Sequence, residues 1–69
     1  MKNRPLVTVG MPAYNHERFI REAIVSLIEQ EYENIELIII NDGSTDGTEN
    51  IIKDLEDDCL NRFINFIYI

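Results

Sequence analysis

Apolar and polar positions alternate along the chain in blocks of two different periods. Leu6-Val7-Thr8-Val9-Gly10-Met11 is a largely apolar run rich in β-branched residues, and Pro12, which cannot donate to a ladder, marks its end. This predicts a first strand over 6–11, preceded by a polar lead-in over 1–5. Phe19, Ile20, Ala23, Ile24, Leu27, Ile28 and Tyr32 then recur at helical steps of three and four, with Glu17, Arg18, Arg21, Glu22, Glu29 and Glu33 on the other side. The helix is expected to start at Asn15 or His16, with Glu17→Arg21 and Arg18→Glu22 as supporting pairs. A second strand follows at Glu36–Ile40, unbroken and isoleucine-rich, as in a central strand covered on both faces.

Asp46-Gly47-Thr48-Glu49 reads as a capping box, with Asp46 accepting from the backbone N–H of Glu49. The helix it opens carries Ile51, Ile52 and Leu55 on one face. It should stop at Glu56-Asp57-Asp58, because the helix dipole disfavours anions at a C-terminus. Phe63–Ile69 reads as a third strand. Strands alternating with helices make a β-α-β-α-β chain with a parallel sheet, the α/β class. Parallel neighbours place their carboxyl ends on one edge, where open α/β sheets bind ligands. Tyr14 and Asp42, each just past a strand, should face one crevice there. An aromatic ring and a carboxylate so placed fit a flat base bearing N–H groups. The alternative is that Asp42 and Ser44 only cap the turn and that Tyr14 packs on the sheet edge.

Composition narrows the partners. With 13 acidic and 6 basic residues in 69, the net charge is −7, which argues against nucleic acid and anionic membranes. A phosphate ligand needs a cation to offset that field. No stretch approaches the roughly 20 apolar residues of a membrane span. Cys59 is the single cysteine, so no internal disulfide can form, and a reducing cytoplasmic setting is expected. A domain this small buries only about 60% of its unfolded surface. It is expected to be marginally stable.

Several site types fail on the run Asp42-Gly43-Ser44-Thr45-Asp46-Gly47. As a calcium loop it has Lys53 where the closing Glu is required, and a strand instead of a helix before it. A phosphatase-type nucleophile would stand at Ile40. The phosphate-cradling Gly-Lys-Ser/Thr and the dinucleotide Gly-x-Gly-x-x-Gly are absent. His16, the one histidine, has no companion ligand in the sequence and reads as a surface residue at the helix start.

Val7-Thr8-Val9-Gly10-Met11-Pro12-Ala13-Tyr14-Asn15, followed by Glu36-Leu37-Ile38-Ile39-Ile40-Asn41-Asp42-Gly43-Ser44-Thr45-Asp46-Gly47-Thr48, resembles the N-terminus of family 2 glycosyltransferases. Those are inverting enzymes of the GT-A fold that use nucleotide-activated sugars. The resemblance spans nearly the whole of residues 1–69 and implies an incomplete, truncated Rossmann-like nucleotide-binding half with strands in the order 3-2-1. It carries nucleoside contacts onto Pro12, Ala13, Tyr14 and Asp42. Asn41 replaces the more usual first aspartate of the motif, and His16 stands where many members have Glu. The family's Asp-x-Asp metal motif and catalytic base lie downstream of residue 69, so the resemblance implies a divalent metal, Mg or Mn, in the full-length enzyme and none bound here. It implies a nucleotide-sugar partner, UDP by family frequency, no catalytic residue in this stretch, and a cytoplasmic or membrane-peripheral enzyme. Because the family's first strand is flanked by a later one, it also implies that Leu6–Met11 presents an open backbone edge here, through which the chain is expected to self-associate. The competing expectation is a non-catalytic α/β binding or regulatory module using the same sheet edge.

Overall fold

The computed structural model describes residues 4–69; Met1–Asn3 of the polar lead-in lie outside them. The elements in chain order are β1 (Val7–Pro12), α1 (Ile20–Ile28), β2 (Ile35–Ile40), α2 (Thr48–Asp54), α3 (Glu56–Arg62) and β3 (Asn65–Tyr68). The three strands form one parallel sheet in the order β1-β2-β3, with β2 in the middle. Read from the opposite edge the same neighbours run 3-2-1. Val7 pairs with Ile35 and Pro12 with Ile40, and on the other side Glu36 pairs with Asn65 and Ile39 with Tyr68. The expected strands are thus present, each shifted by a residue or two. Pro12 stays within β1 because β1 is an edge strand, where a missing N–H can face outward.

The core lies on one face of the sheet only. Ile35, Leu37 and Ile39 of β2 are buried against Ile20 and Ile24 of α1, Ile52 of α2, and Leu55, Cys59 and Phe63 around α3. The alternate positions Glu36, Ile38 and Ile40 look away and are half-buried or exposed. Coverage on both faces, expected from the isoleucine run, is therefore not what forms. Topology supplies the reason. Parallel crossovers are right-handed, and when the strand order steps in one direction both crossovers place their helices on the same side. On the open face Glu36 accepts from Thr8 Oγ1 at 2.9 Å and from Asn65 Nδ2 at 3.0 Å, a polar row across all three strands. Beyond it Ile38, Ile40 and Ile67 remain uncovered.

Two helix boundaries differ from expectation. α1 begins at Ile20; the residues before it form a turn in which the N–H groups of Phe19 and Ile20 both donate to the His16 carbonyl. Phe19, assigned to the apolar stripe, is 66% exposed. The proposed Glu17–Arg21 pair does not form, since Glu17 precedes the helix; Arg21 lies 3.6 Å from Asp54 instead. The segment after Asp46 is two helices, broken at Leu55. Glu56, Asp57 and Asp58 thus sit in the first turn of α3, where the dipole favours anions.

Candidate functional site

The carboxyl edge of the sheet is built from the loops after β1 and β2. Ala13 carries the pairing one residue past Pro12, its N–H donating to the Ile40 carbonyl at 2.9 Å. Ala13 is fully buried, and its own carbonyl accepts from Ser44 Oγ at 2.9 Å. Asn15 turns the chain with φ +49, a left-handed conformation that Asn tolerates better than most residues. Tyr14, between these two fixed residues, is 55% exposed.

The two loops bind each other reciprocally. The Asn15 N–H donates to Ser44 Oγ at 3.0 Å, and Asn15 Oδ1 accepts from the Thr45 N–H at 2.9 Å. The His16 N–H donates to Thr48 Oγ1 at 2.9 Å, while its Nδ1 lies 3.2 Å from the Pro12 carbonyl. The Glu17 N–H donates to Asp46 Oδ2, and Glu17 Oε1 accepts from the Gly47 N–H, both at 3.2 Å. A Cβ on Gly47 would come within 3.1 Å of the Glu17 carboxylate, so that close approach depends on glycine. Each loop supplies side chains to the other's backbone.

Asp46 is the centre of the α2 entry, though not as the expected capping box. It accepts from the Thr48 N–H at 3.0 Å and from the Thr48 hydroxyl, not from Glu49, because Gly47 occupies the cap position and Glu49 turns to Lys53 at 3.1 Å. The Thr48 hydroxyl, with backbone N–H groups adding to it, holds the Asp46 carboxyl below its ordinary range.

Asn41, at the end of β2, bridges to the third strand. Its Oδ1 accepts from the Ser44 N–H at 3.2 Å and competes with the Ala13 carbonyl for the single Ser44 hydroxyl proton, and its Nδ2 donates to the Tyr68 hydroxyl at 2.9 Å. Asp42 follows, exposed, and makes no hydrogen bond with another described side chain. Gly43 next to it has φ +70, which a side chain would strain. Pro12, Ala13, Tyr14 and Asp42, the four residues singled out from the sequence, are all at this edge, with Ala13 in the floor and Tyr14 and Asp42 open to solvent. Among the described residues no three His, Cys, Asp or Glu side chains are grouped so as to hold a metal ion.

Residues 8–69 match the family model described as glycosyl transferase family 2. The chain belongs to that family. It is 53% identical over 55 residues to an uncharacterized glycosyltransferase of Haemophilus influenzae, an overlap covering 80% of this chain and 17% of that relative. Over 47 residues it is 53% identical to the uncharacterized glycosyltransferase RP339 of Rickettsia prowazekii, covering 68% and 15% of the two chains. Over 51 residues it is 43% identical to the glycosyltransferase GlyA of Streptococcus pneumoniae, covering 74% and 7%. The chain therefore spans less than a fifth of the length of these relatives. No described helix is long and apolar enough to cross a membrane.

Sequence reasoning singled out Tyr14 and Asp42 at this edge but missed the clasp that joins its two loops. Asn15, Glu17, Ser44, Thr45 and Thr48 bond across 29–32 residues of sequence. The available signal was the density of short Asn, Ser, Thr and Asp side chains after both strands, residue types that bond readily to backbone.

Proposed function

We propose that this chain forms the donor-nucleotide part of a sugar-transferase site, and that the nucleotide is UDP. The observation that carries this reading is an exposed aromatic ring and an unengaged carboxylate on two loops clasped together at the sheet's carboxyl edge. Tyr14 stacks on the base, and Asp42 accepts from its N–H, with Pro12 and Ala13 shaping the floor. A stacked base contributes about 1–3 kcal/mol by analogy with single-strand binders. The charge-assisted bond adds about 1.5–3 kcal/mol.

These residues hold the donor and make no bond. In the longer enzyme a base outside them removes the proton of an acceptor hydroxyl, which attacks the anomeric carbon in line and displaces the nucleotide. The family reading assigns its Mg or Mn ion to that same outside part. Cys59, buried and without a disulfide partner, suits a cytoplasmic setting.

The affinity of this chain alone should be modest. The two contacts total about 2.5–6 kcal/mol before the costs of association, and a 1 mM complex already requires about 4 kcal/mol. Titration with UDP followed by amide NMR should give saturable millimolar shifts centred on Tyr14 and Asp42. Both Asp42→Ala and Tyr14→Ala should weaken binding at least tenfold, about 1.4 kcal/mol. Unchanged affinity in both variants would take these side chains out of the site. Sugar transfer or donor hydrolysis by the chain itself would show that the reacting groups are misassigned.

A further inference from the structure

Asn41 determines where one hydroxyl proton can go. The Ser44 backbone N–H, 3.2 Å from Asn41 Oδ1, can only donate, so the amide oxygen must face it and the amide nitrogen must face the other way. On that other side lies the Tyr68 hydroxyl, 2.9 Å from Nδ2. An amide nitrogen only donates, so the Tyr68 oxygen accepts and its own proton points away from Asn41. No described residue receives that proton. Tyr68 is the last residue of β3, and its hydroxyl reaches the residue preceding Asp42. A carboxylate at position 41 would have the opposite effect, because it could only accept from the Tyr68 hydroxyl and would draw the proton inward.

We propose that Tyr68 is a further ligand-binding residue of this edge, its hydroxyl donating to an oxygen of the bound nucleotide, with Asn41 as the positioning residue that turns the proton outward. The inference rests on the nucleotide reading above. A neutral hydroxyl is an economical way for a chain of net charge −7 to meet an electronegative atom.

The test is an amide NMR titration with uridine and, separately, with UDP, on the unaltered chain and on Tyr68→Phe, Asn41→Asp, their combination, and Asp42→Ala. Tyr68→Phe keeps the ring and should weaken binding about three- to tenfold, the loss of one hydrogen bond. A loss for both ligands assigns the accepting oxygen to the nucleoside; a loss for UDP alone assigns it to phosphate. Asn41→Asp should weaken whichever ligand Tyr68→Phe weakens, and the combined variant should be no weaker than Asn41→Asp, because the proton is already withdrawn. If Tyr68→Phe changes the melting temperature but not the affinity, while Asp42→Ala abolishes binding, Tyr68 is structural and the proposal is overturned with the nucleotide reading intact. Absence of saturable binding by the unaltered chain removes that reading and this inference with it.

Discussion

Arg62 should be the costliest single side chain to lose outside the apolar core. From the last turn of α3 it reaches the loop between α1 and β2, where Nε donates to the Ile28 carbonyl at 2.8 Å. One terminal nitrogen donates to the carbonyls of Gln30 at 2.8 Å and Tyr32 at 2.7 Å, and the other lies 3.4 Å from that of Glu33. The last carbonyls of a helix have no partner within it, and here one planar fork serves those at the end of α1 and just beyond. Counting the three shorter bonds at a net of about 1 kcal/mol each, since water can rehydrate a surface carbonyl, Arg62→Ala should cost about 3 kcal/mol. A domain of this size holds roughly 3–10 kcal/mol in total, so the loss is a large share. Lysine keeps the charge but offers a point donor instead of a fork. Arg62→Lys should therefore still cost about 2 kcal/mol. Urea unfolding by circular dichroism reads this directly: with an m-value near 1 kcal/mol/M, the midpoints fall by about 2–3 M. If Arg62→Lys stays within about 0.5 kcal/mol of the parent, charge alone suffices and the fork geometry carries no weight.

Three further outcomes follow from the packing. Ser44→Ala leaves the buried Ala13 carbonyl and the Asn15 N–H without their partner, and should cost about 1–3 kcal/mol in urea unfolding, with increased amide exchange at Tyr14 and Asn15. Burial, with the charges of Asp58 and Glu56, pushes the Cys59 thiol from 9.0 up to about 11. The folded state then holds a proton that the unfolded chain has released, so stability falls as pH rises through that window, and Cys59→Ala should remove this part of the slope. The outer edge of β1 is unpaired and Ile38, Ile40 and Ile67 are uncovered, so sedimentation should show concentration-dependent association in the micromolar range; a monodisperse monomer with strongly protected amides along β1 would contradict it.

The strands and their order along the chain were legible because a buried β-strand announces itself by a short apolar run, and β2 is such a run from Ile35 to Ile40. What the run could not disclose is how many of its faces are covered. That depends on the hand of the crossovers and on what lies beyond each strand. The start of α1 was misplaced for a different reason. Phe19 fits the helical period, but His16 and Glu17 direct their backbone N–H groups to Thr48 and Asp46, which holds this stretch out of the helix. α3 was invisible because Leu55, where the helix breaks, is also a regular member of the apolar pattern. At the site, positions were legible and partners were not: the place of Tyr14 and Asp42 follows from where strands end, whereas Asn41 meeting Tyr68 requires knowing that β3 lies beside β2.

The clasp divides the labour at the sheet edge. In the loop after β1, Ala13 is buried, Asn15 and Glu17 bond to the opposite loop, and His16 lies against the Pro12 carbonyl. In the loop after β2, Asn41, Ser44, Asp46 and Thr48 are all engaged by one another or by the first loop. Tyr14, Arg18, Phe19, Asp42 and Thr45 are the side chains left over from this accounting, and all five are exposed. Tyr14 and Asp42 among them are a large aromatic ring and a charge standing beside residues held in place by several bonds. A rigid frame around unengaged groups is what ligand recognition requires, since groups already ordered lose little freedom on binding. The same accounting shows that the loops take their shape from within. The side chains of Asn15, His16, Glu17, Asn41, Ser44, Asp46 and Thr48 bond within and between them, so the frame around Tyr14 and Asp42 is set before any ligand arrives.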